Sequence, residues 1–178
     1  MLLRAVRLGI IQGFLLCWVS QAQPVALRIC LEDHAGLNPP ARAAFHQELT
    51  LLLTGHGIHL DWSPCPSNAA SIVRLAVHDR APRSPEGVLG RATMAHGSVT
   101  PQLEVFLDPV RSHLPNSQCW SVIGRALARV AAHEVAHFAL QRPGHDDHGV
   151  LKASFSGSDL SSDDSLPFSL GYARSAGD

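Results

Sequence analysis

The stretch from Trp120 to Arg142 constrains the fold of this chain more than any other part of its sequence. It is rich in Ala and Val, and it shows the longest helical pattern in the chain. Pro143 and Gly144 follow it directly, and these residues are the usual signals that stop a helix. The sequence therefore predicts one long helix that ends just before Pro143.

This predicted helix contains the sequence His133-Glu134-Val135-Ala136-His137. Positions four apart lie on one face of a helix, so both imidazoles can reach one ion. Glu134 stands beside them, where it can take a proton from a metal-bound water without being a ligand. The spacing predicts a metal site formed by His133 and His137, with Glu134 as its general base.

A third ligand is expected downstream of the helix, because catalytic zinc usually takes three protein ligands and leaves the fourth position to water. Glu134 is the last Glu in the sequence, which excludes a zinc peptidase with a distant downstream Glu ligand. A glycine at position 144 would let the chain fold back beneath the ion. The candidates, in order, are His145, then His148 as the fallback, then Asp146 or Asp147.

Residues 1–22 have the three parts of a secretory signal peptide. Arg4 and Arg7 precede an apolar run from Leu8 to Val19, and small residues ending at Ala22 offer a cleavage site. About 12 apolar residues fall short of the roughly 20 that a membrane-spanning helix needs. We therefore expect cleavage after Ala22 and a secreted or periplasmic product with no stable membrane anchor.

The remaining residues, 23–178, are expected to form a single domain, with 171–178 as a frayed tail. The chain has 178 residues, 46% of them hydrophobic, which is enough to build one core. Its 14 Lys+Arg against 15 Asp+Glu argue against a nucleic-acid partner, since such proteins usually carry a basic excess. The sequence does not indicate an oligomeric state.

Three cysteines remain after the predicted cleavage, at Cys30, Cys65 and Cys119. An odd number in an oxidising compartment is most simply one disulfide and one free thiol. Cys30 and Cys65 each end a predicted strand, so we favour that pair.

The order of predicted elements indicates an α/β domain with a mixed, mostly parallel sheet of four to five strands. A helix is predicted over 41–53 and a short helix near Leu160. The predicted strands are Val25–Leu31, Ile58–Trp62, Ile72–His78, Val88–Met94 and Leu103–Leu107.

Residues 119–156 resemble a zincin metalloprotease of the metzincin type, in particular small secreted bacterial proteins whose HExxH helix is followed by seven residues and a His. The resemblance extends more weakly over the mature chain. It implies an α+β zincin-like fold and a peptidase acting on peptides or proteins. It also implies one catalytic Zn²⁺ held by His133, His137 and His145, with residues 88–94 as a sheet edge strand that pairs with extended substrate.

In that family a Gly-Leu/Ile-Met turn follows the third His and packs under the metal. Gly149-Val150-Leu151 takes that place here, so Leu151 is expected to supply the hydrophobic base. The chain departs from the family at Leu140 and Pro143, where metzincins have a Gly and the third His. A zinc-binding envelope or interaction module without turnover is therefore the alternative hypothesis, and a metal-free structural domain is a third.

Overall fold

The computed structural model describes residues 24–66, 71–80, 87–114, 119–164 and 168. The predicted signal peptide and the predicted tail lie outside these residues. Along the chain the elements are β1 (Val25–Asp33), α1 (Pro39–Thr54), β2 (Ile58–Trp62), β3 (Val73–His78), β4 (Gly90–Ala95), β5 (Ser98–Phe106), α2 (Leu107–His113), α3 (Trp120–Leu140) and α4 (Gly157–Ser161).

The five strands form one sheet in the order β2-β1-β3-β5-β4. The β2, β1, β3 and β5 strands are parallel to one another, and β4 is antiparallel to β5. His96 and Gly97 both have positive φ, of 51° and 80°, and they form the tight turn from β4 into β5. The predicted fold class, a mixed and mostly parallel sheet with one long helix, is confirmed.

The core lies between one face of the sheet and the helices α1 and α3, which pack on each other. Asn38 starts α1 by accepting a hydrogen bond from the Ala41 N–H (3.0 Å), and Pro39 occupies the first helical turn. At Gly124 the helices approach so closely that a Cβ there would lie 2.1 Å from the Ala41 carbonyl oxygen. This close approach fixes where α3 lies above the sheet.

The other face of the sheet carries charged side chains that pair across neighbouring strands. These pairs are Arg28–Asp61 (3.6 Å), Arg74–Glu32 (2.7 Å) and Arg91–Glu104 (2.5 Å). The Cys30–Cys65 disulfide links β1 to the loop after β2, which confirms the favoured pairing. Cys119 is free and exposed.

Each predicted strand has its counterpart, with bounds shifted by a few residues. The fifth strand begins earlier than predicted, at Ser98, and Leu107 begins the helix α2, which the sequence analysis did not predict. The long helix ends at Leu140, two residues before its predicted end. Among the described residues, no helix has the length and apolar character of a membrane span.

Candidate metal centre

The middle of α3 is buried on all sides because small and apolar residues dominate it. His133, Glu134 and His137 lie in this buried part, with 8%, 5% and 6% of their surface exposed. Burying three polar side chains in an apolar layer costs free energy unless each finds a partner. The hydrogen-bond partners of these three side chains therefore determine which ligand the site can bind.

The two helical imidazoles are oriented by backbone carbonyls. The Nδ1 of His133 donates to the Val150 carbonyl oxygen at 2.7 Å, and the Nδ1 of His137 donates to the Arg142 carbonyl oxygen. A carbonyl only accepts, so in the neutral rings the proton sits on Nδ1 and Nε2 is a bare lone pair. The two Nε2 atoms lie 2.9 Å apart, so two lone pairs face each other.

Burial also keeps both rings neutral. Burial, together with the nearby rings of His137 and His145, lowers the pKa of His133 to about 4. Burial likewise lowers the pKa of His137. Because neither ring is protonated near neutral pH, no proton bridges the two nitrogens, and a cation between them would satisfy both.

His145 completes the group. One ligand atom from each of His133, His137 and His145 lies within 4.8 Å of the other two. The ring of His145 is 5.2 Å from that of His133 and 5.0 Å from that of His137, and it is exposed. The first-choice third ligand of the sequence analysis is thus brought to the two helical histidines. The three residues form a group that could bind a metal ion.

The fallback residues are not part of this group. His148 is exposed, and Asp147 is exposed beside it. Asp146 instead pairs with Arg142 at 2.7 Å. Among the described residues, His145 alone of the downstream candidates joins the two helical histidines.

The turn after His145 contacts the histidine group through its backbone. Gly149 has a positive φ of 78°, and the Lys152 N–H donates to its carbonyl at 3.1 Å. This turn presents the Val150 carbonyl to His133. Leu151, the predicted hydrophobic base, is 1% exposed and belongs to the core.

The chain reverses at Gln141, whereas the sequence analysis assigned this role to Gly144. Gln141 caps α3 in the left-handed conformation, with φ 49° and ψ 40°. Gly144 does not have a positive φ. The reversal at Gln141 returns the Arg142 backbone to His137, since the Arg142 N–H donates to the His137 carbonyl at 3.1 Å.

Glu134 faces the edge strand β4. Its carboxylate accepts a hydrogen bond from the Ala92 backbone N–H, while burial raises its pKa to about 8. A Cβ on Gly90 would lie 2.7 Å from the Glu134 Oε1 and 2.7 Å from a Val130 methyl. The absence of a side chain at Gly90 therefore makes room for the Glu134 carboxylate.

A buried ion pair holds α3 from the side away from β4. Arg129, one turn before His133, donates to Glu48 of α1 at 2.8 Å and to the Asp159 carbonyl at 2.7 Å. The Phe168 ring lies over its guanidinium at 5.1 Å. Breaking such a buried pair is costly, so it fixes the rotation of α3 that turns the histidines toward the cavity.

A cavity of about 480 Å³ opens over the group. The residues of β4 form one wall, and the segment 153–155 forms part of another. Phe155 places its ring edge-on to His133, with centroids 5.5 Å apart. The cavity contains the Glu134 carboxylate and all three imidazoles, and it is large enough for part of a peptide.

Sequence reasoning missed Gly90, Ala92, Gln141 and the two carbonyl acceptors. Gly90 did carry a signal, since a Gly inside a strand pattern often marks close backbone approach. The Val150 and Arg142 carbonyls carried none, because any residue type supplies a backbone oxygen. No protein-family model matches this chain, and no curated protein is significantly similar to it in sequence.

Proposed function

We propose that this protein is a secreted zinc-dependent metallopeptidase of metzincin type. The observation that carries the proposal is the convergence of His133, His137 and His145 at one point, beside a buried Glu134. The Cys30–Cys65 disulfide supports an oxidising destination outside the cytosol. The signal-like residues 1–22 support the same destination.

The donor set suits zinc. Three imidazoles match a catalytic zinc site, which keeps a fourth position for water or substrate. The carbonyl partners of His133 and His137 fix their tautomers and raise their basicity, as the second shell of zinc sites usually does. When bound, Zn²⁺ would supply Lewis acidity, lowering the pKa of water and polarising a carbonyl.

Glu134 is placed to handle the proton of this reaction. Its carboxyl group is buried in the same cavity and is not a member of the histidine group. Burial raises the pKa of this carboxyl group to about 8 in the metal-free protein. A bound cation nearby would favour the carboxylate, which would accept a proton from the attacking water and then pass it to the leaving amine. The apolar surroundings that raise the pKa also keep bulk water from competing for that proton.

The edge strand β4 supports a peptide as the substrate. It is the last strand in the sheet order, and it lines the cavity. An extended peptide can pair with the backbone of such an edge, and this pairing does not depend on the peptide's side chains. Residues 88–94, the predicted substrate strand, overlap β4.

A zinc-binding module without turnover remains the second candidate. It is favoured by the hydrogen bond from Ala92 to Glu134, because this contact also gives the carboxylate a structural role. The two candidates differ in what Glu134 does once metal is bound.

The test is the metal content and peptidase activity of the processed protein and four variants. We expect about one zinc per chain in the parent, lost in His133→Ala and in His145→Ala. The control His148→Ala should keep its zinc. Glu134→Ala should also keep zinc but lose at least about a hundredfold in cleavage of a peptide library.

Two outcomes would overturn parts of the proposal. No metal in the folded parent after zinc is supplied would remove the metallopeptidase proposal entirely. Zinc binding with no cleavage by the parent, and a Glu134→Ala variant indistinguishable from it in every assay, would establish the module without turnover.

A further inference from the structure

Gln141 adopts a backbone conformation that its residue type disfavours. It has φ 49° and ψ 40° at the C-terminal end of α3, in the region where a Cβ is penalised and Gly is the usual residue. A non-glycine residue persists in such a conformation when surrounding contacts hold it there, and such residues cluster at functional sites. The contacts of its side chain explain why a Gln is suitable here.

The Gln141 side-chain amide pairs with the backbone of β5. Its Oε1 accepts from the Val99 N–H at 3.0 Å, and its Nε2 donates to the Val99 carbonyl at 3.1 Å. The Nε2 also donates to the Phe138 carbonyl of α3 at 2.8 Å. The amide oxygen and the amide nitrogen thus both bind the backbone of Val99, as the carbonyl and N–H of a paired strand would. We call these three hydrogen bonds the Gln141 clamp.

The clamp joins the β4–β5 hairpin, which lines the cavity, to the C-terminal end of α3, which carries the histidines. On the strand side, Val99 is paired with Met94 of β4, and both residues line the cavity. On the helix side, the reversal at Gln141 brings the Arg142 carbonyl to the Nδ1 of His137. The same residue therefore contacts the β4–β5 hairpin and sets the turn that orients a histidine of the metal group.

We propose that Gln141 is a positioning residue that holds the edge strand β4 at a fixed distance from the histidine-bearing helix. The clamp is a property of the fold, and its effect on hydrolysis rests on the proposed peptidase function. Ala92 and Met94 are one strand away from the clamped Val99, and Ala92 is also bound to Glu134. Releasing Val99 therefore loosens the strand that contacts the general base.

The variants separate the backbone role of Gln141 from its amide. Gln141→Gly keeps the left-handed turn at no steric cost and removes the clamp. Gln141→Asn keeps an amide and tolerates the left-handed conformation, but it is one methylene too short to span to Val99. Gln102→Ala is the control, since it removes an amide from the opposite face of the same strand.

The first readout is amide hydrogen exchange in the metal-free protein, which needs no activity. We expect both Gln141 variants to exchange Val99 about tenfold faster, because the N–H loses its acceptor. We also expect faster exchange at Ala92 and Met94. Gln102→Ala should match the parent at all three amides.

The second readout is kinetic and uses the zinc-loaded protein. Both Gln141 variants should keep one zinc per chain. Their KM for an extended peptide should rise about three- to tenfold, because the loosened strand weakens substrate binding. We expect kcat to stay within about twofold, because Glu134 itself is held in the buried part of α3 and loses only the constraint from Ala92. A parent that cleaves no peptide would refute the proposed function, and the exchange experiment would still decide the clamp.

The exchange result determines whether the clamp is a positioning device. Faster exchange confined to Val99, with Ala92 and Met94 unchanged in both variants, would overturn the proposal, because the clamp would then be purely local. Unchanged KM in an active Gln141→Gly enzyme would also overturn it. Faster exchange at Ala92 and Met94 together with a raised KM would establish it.

Discussion

At the scale of single residues, the geometry of the site depends on the backbone carbonyls that accept hydrogen bonds from the histidine rings. The carbonyls of Val150 and Arg142 fix the rings of His133 and His137 so that two lone pairs face each other 2.9 Å apart. A cation between the two nitrogens would satisfy both lone pairs, since neither nitrogen offers the other a proton. The backbone of the turn after His145 and of the reversal at Gln141 therefore sets where a metal ion would bind.

Glu134 gives the metal-free protein a characteristic pH dependence. Burial raises its pKa to about 8 in the folded chain, whereas a carboxyl group in an unfolded chain ionises near pH 4.3. A raised folded pKa contributes stability that is complete below the unfolded pKa and is lost as the pH rises through the folded pKa. Between about pH 4.5 and 8 the free energy of unfolding of the parent should therefore fall by this contribution. The Glu134→Gln variant should show no such fall, because its side chain does not titrate.

The measurement is urea unfolding of both proteins in the presence of a chelator at pH 5 and pH 9. From the lower to the higher pH, the variant should gain on the order of 4 kcal/mol relative to the parent, because about three pH units separate pH 5 from the folded pKa. Identical pH profiles would show that Glu134 is already ionised in the folded metal-free protein.

Gly90 should tolerate no side chain. A Cβ there would lie 2.7 Å from the Glu134 Oε1, 2.7 Å from a Val130 methyl and 3.1 Å from the Glu104 carbonyl. We expect Gly90→Ala to lower the free energy of unfolding by about 1–3 kcal/mol. Peptide cleavage should fall further than stability alone explains, because the carboxylate is displaced.

Gly144→Ala is the matched control for Gly90→Ala. A Cβ at Gly144 meets nothing within 4 Å, and its φ is not positive, so its stability should stay within about 0.5 kcal/mol of the parent. Thermal and urea unfolding of the two variants provide the comparison. Equal stability of both would contradict the close approach of β4 to α3.

The histidines and Glu134 could be predicted at this scale because helical spacing is local in the sequence. Positions four apart share a helix face wherever the helix lies. Gln141 could not be predicted, because its amide binds Val99, which lies 42 positions away in the chain. Only the packing of α3 against β5 brings these residues together.

At the scale of elements, the strands of the sheet were predictable and the helix α2 was not. The strands show alternating or continuous apolar patterns that punctuating Gly and Pro residues bound. In contrast, α2 is short, with only Leu107 and Val110 buried and Pro109 in its first turn. Such a segment has too few positions for a helical period to be visible.

The crossing of α1 and α3 depends on Gly124. As an isolated helix, α3 would gain about 1 kcal/mol from Ala at this position. In the folded protein, however, that Cβ would lie 2.1 Å from the Ala41 carbonyl oxygen and 2.9 Å from its Cα. These are backbone atoms, so the helices must separate, and the loss of packing exceeds the gain in propensity.

We therefore expect Gly124→Ala to lower the free energy of unfolding by about 3 kcal/mol or more. Denaturant unfolding measures this change, with Gly144→Ala again as the control. A variant as stable as the parent would show that α1 and α3 cross at a greater distance.

At the scale of the whole molecule, the two faces of the sheet differ in composition and in what they contact. One face packs against α1 and α3 and positions the histidines. The other carries the cross-strand ion pairs and the Cys30–Cys65 disulfide. Parallel sheets usually carry apolar side chains on both faces, whereas the described strands of this sheet pair charged side chains across this second face.

The positions at which the strands end allowed the disulfide partners to be predicted from the sequence. Removing this bridge tests whether a change on one face of the sheet alters metal binding on the other. Cys30 and Cys65 are 35 positions apart, so closing this loop should contribute about 4 kcal/mol. The double variant Cys30→Ala/Cys65→Ala should lose about that much stability in urea unfolding. Cys119→Ser is the control, since this thiol is exposed and should change stability little.

Zinc should stabilise the parent and the double variant equally. Each protein should gain the same free energy of unfolding at one zinc concentration, because the bridge and the histidine group lie on opposite faces of the sheet. Agreement of the two increments within about 0.5 kcal/mol would mean that the metal group is held by α3 and the turn after His145. Increments that differ by more would mean that the sheet transmits strain between its faces.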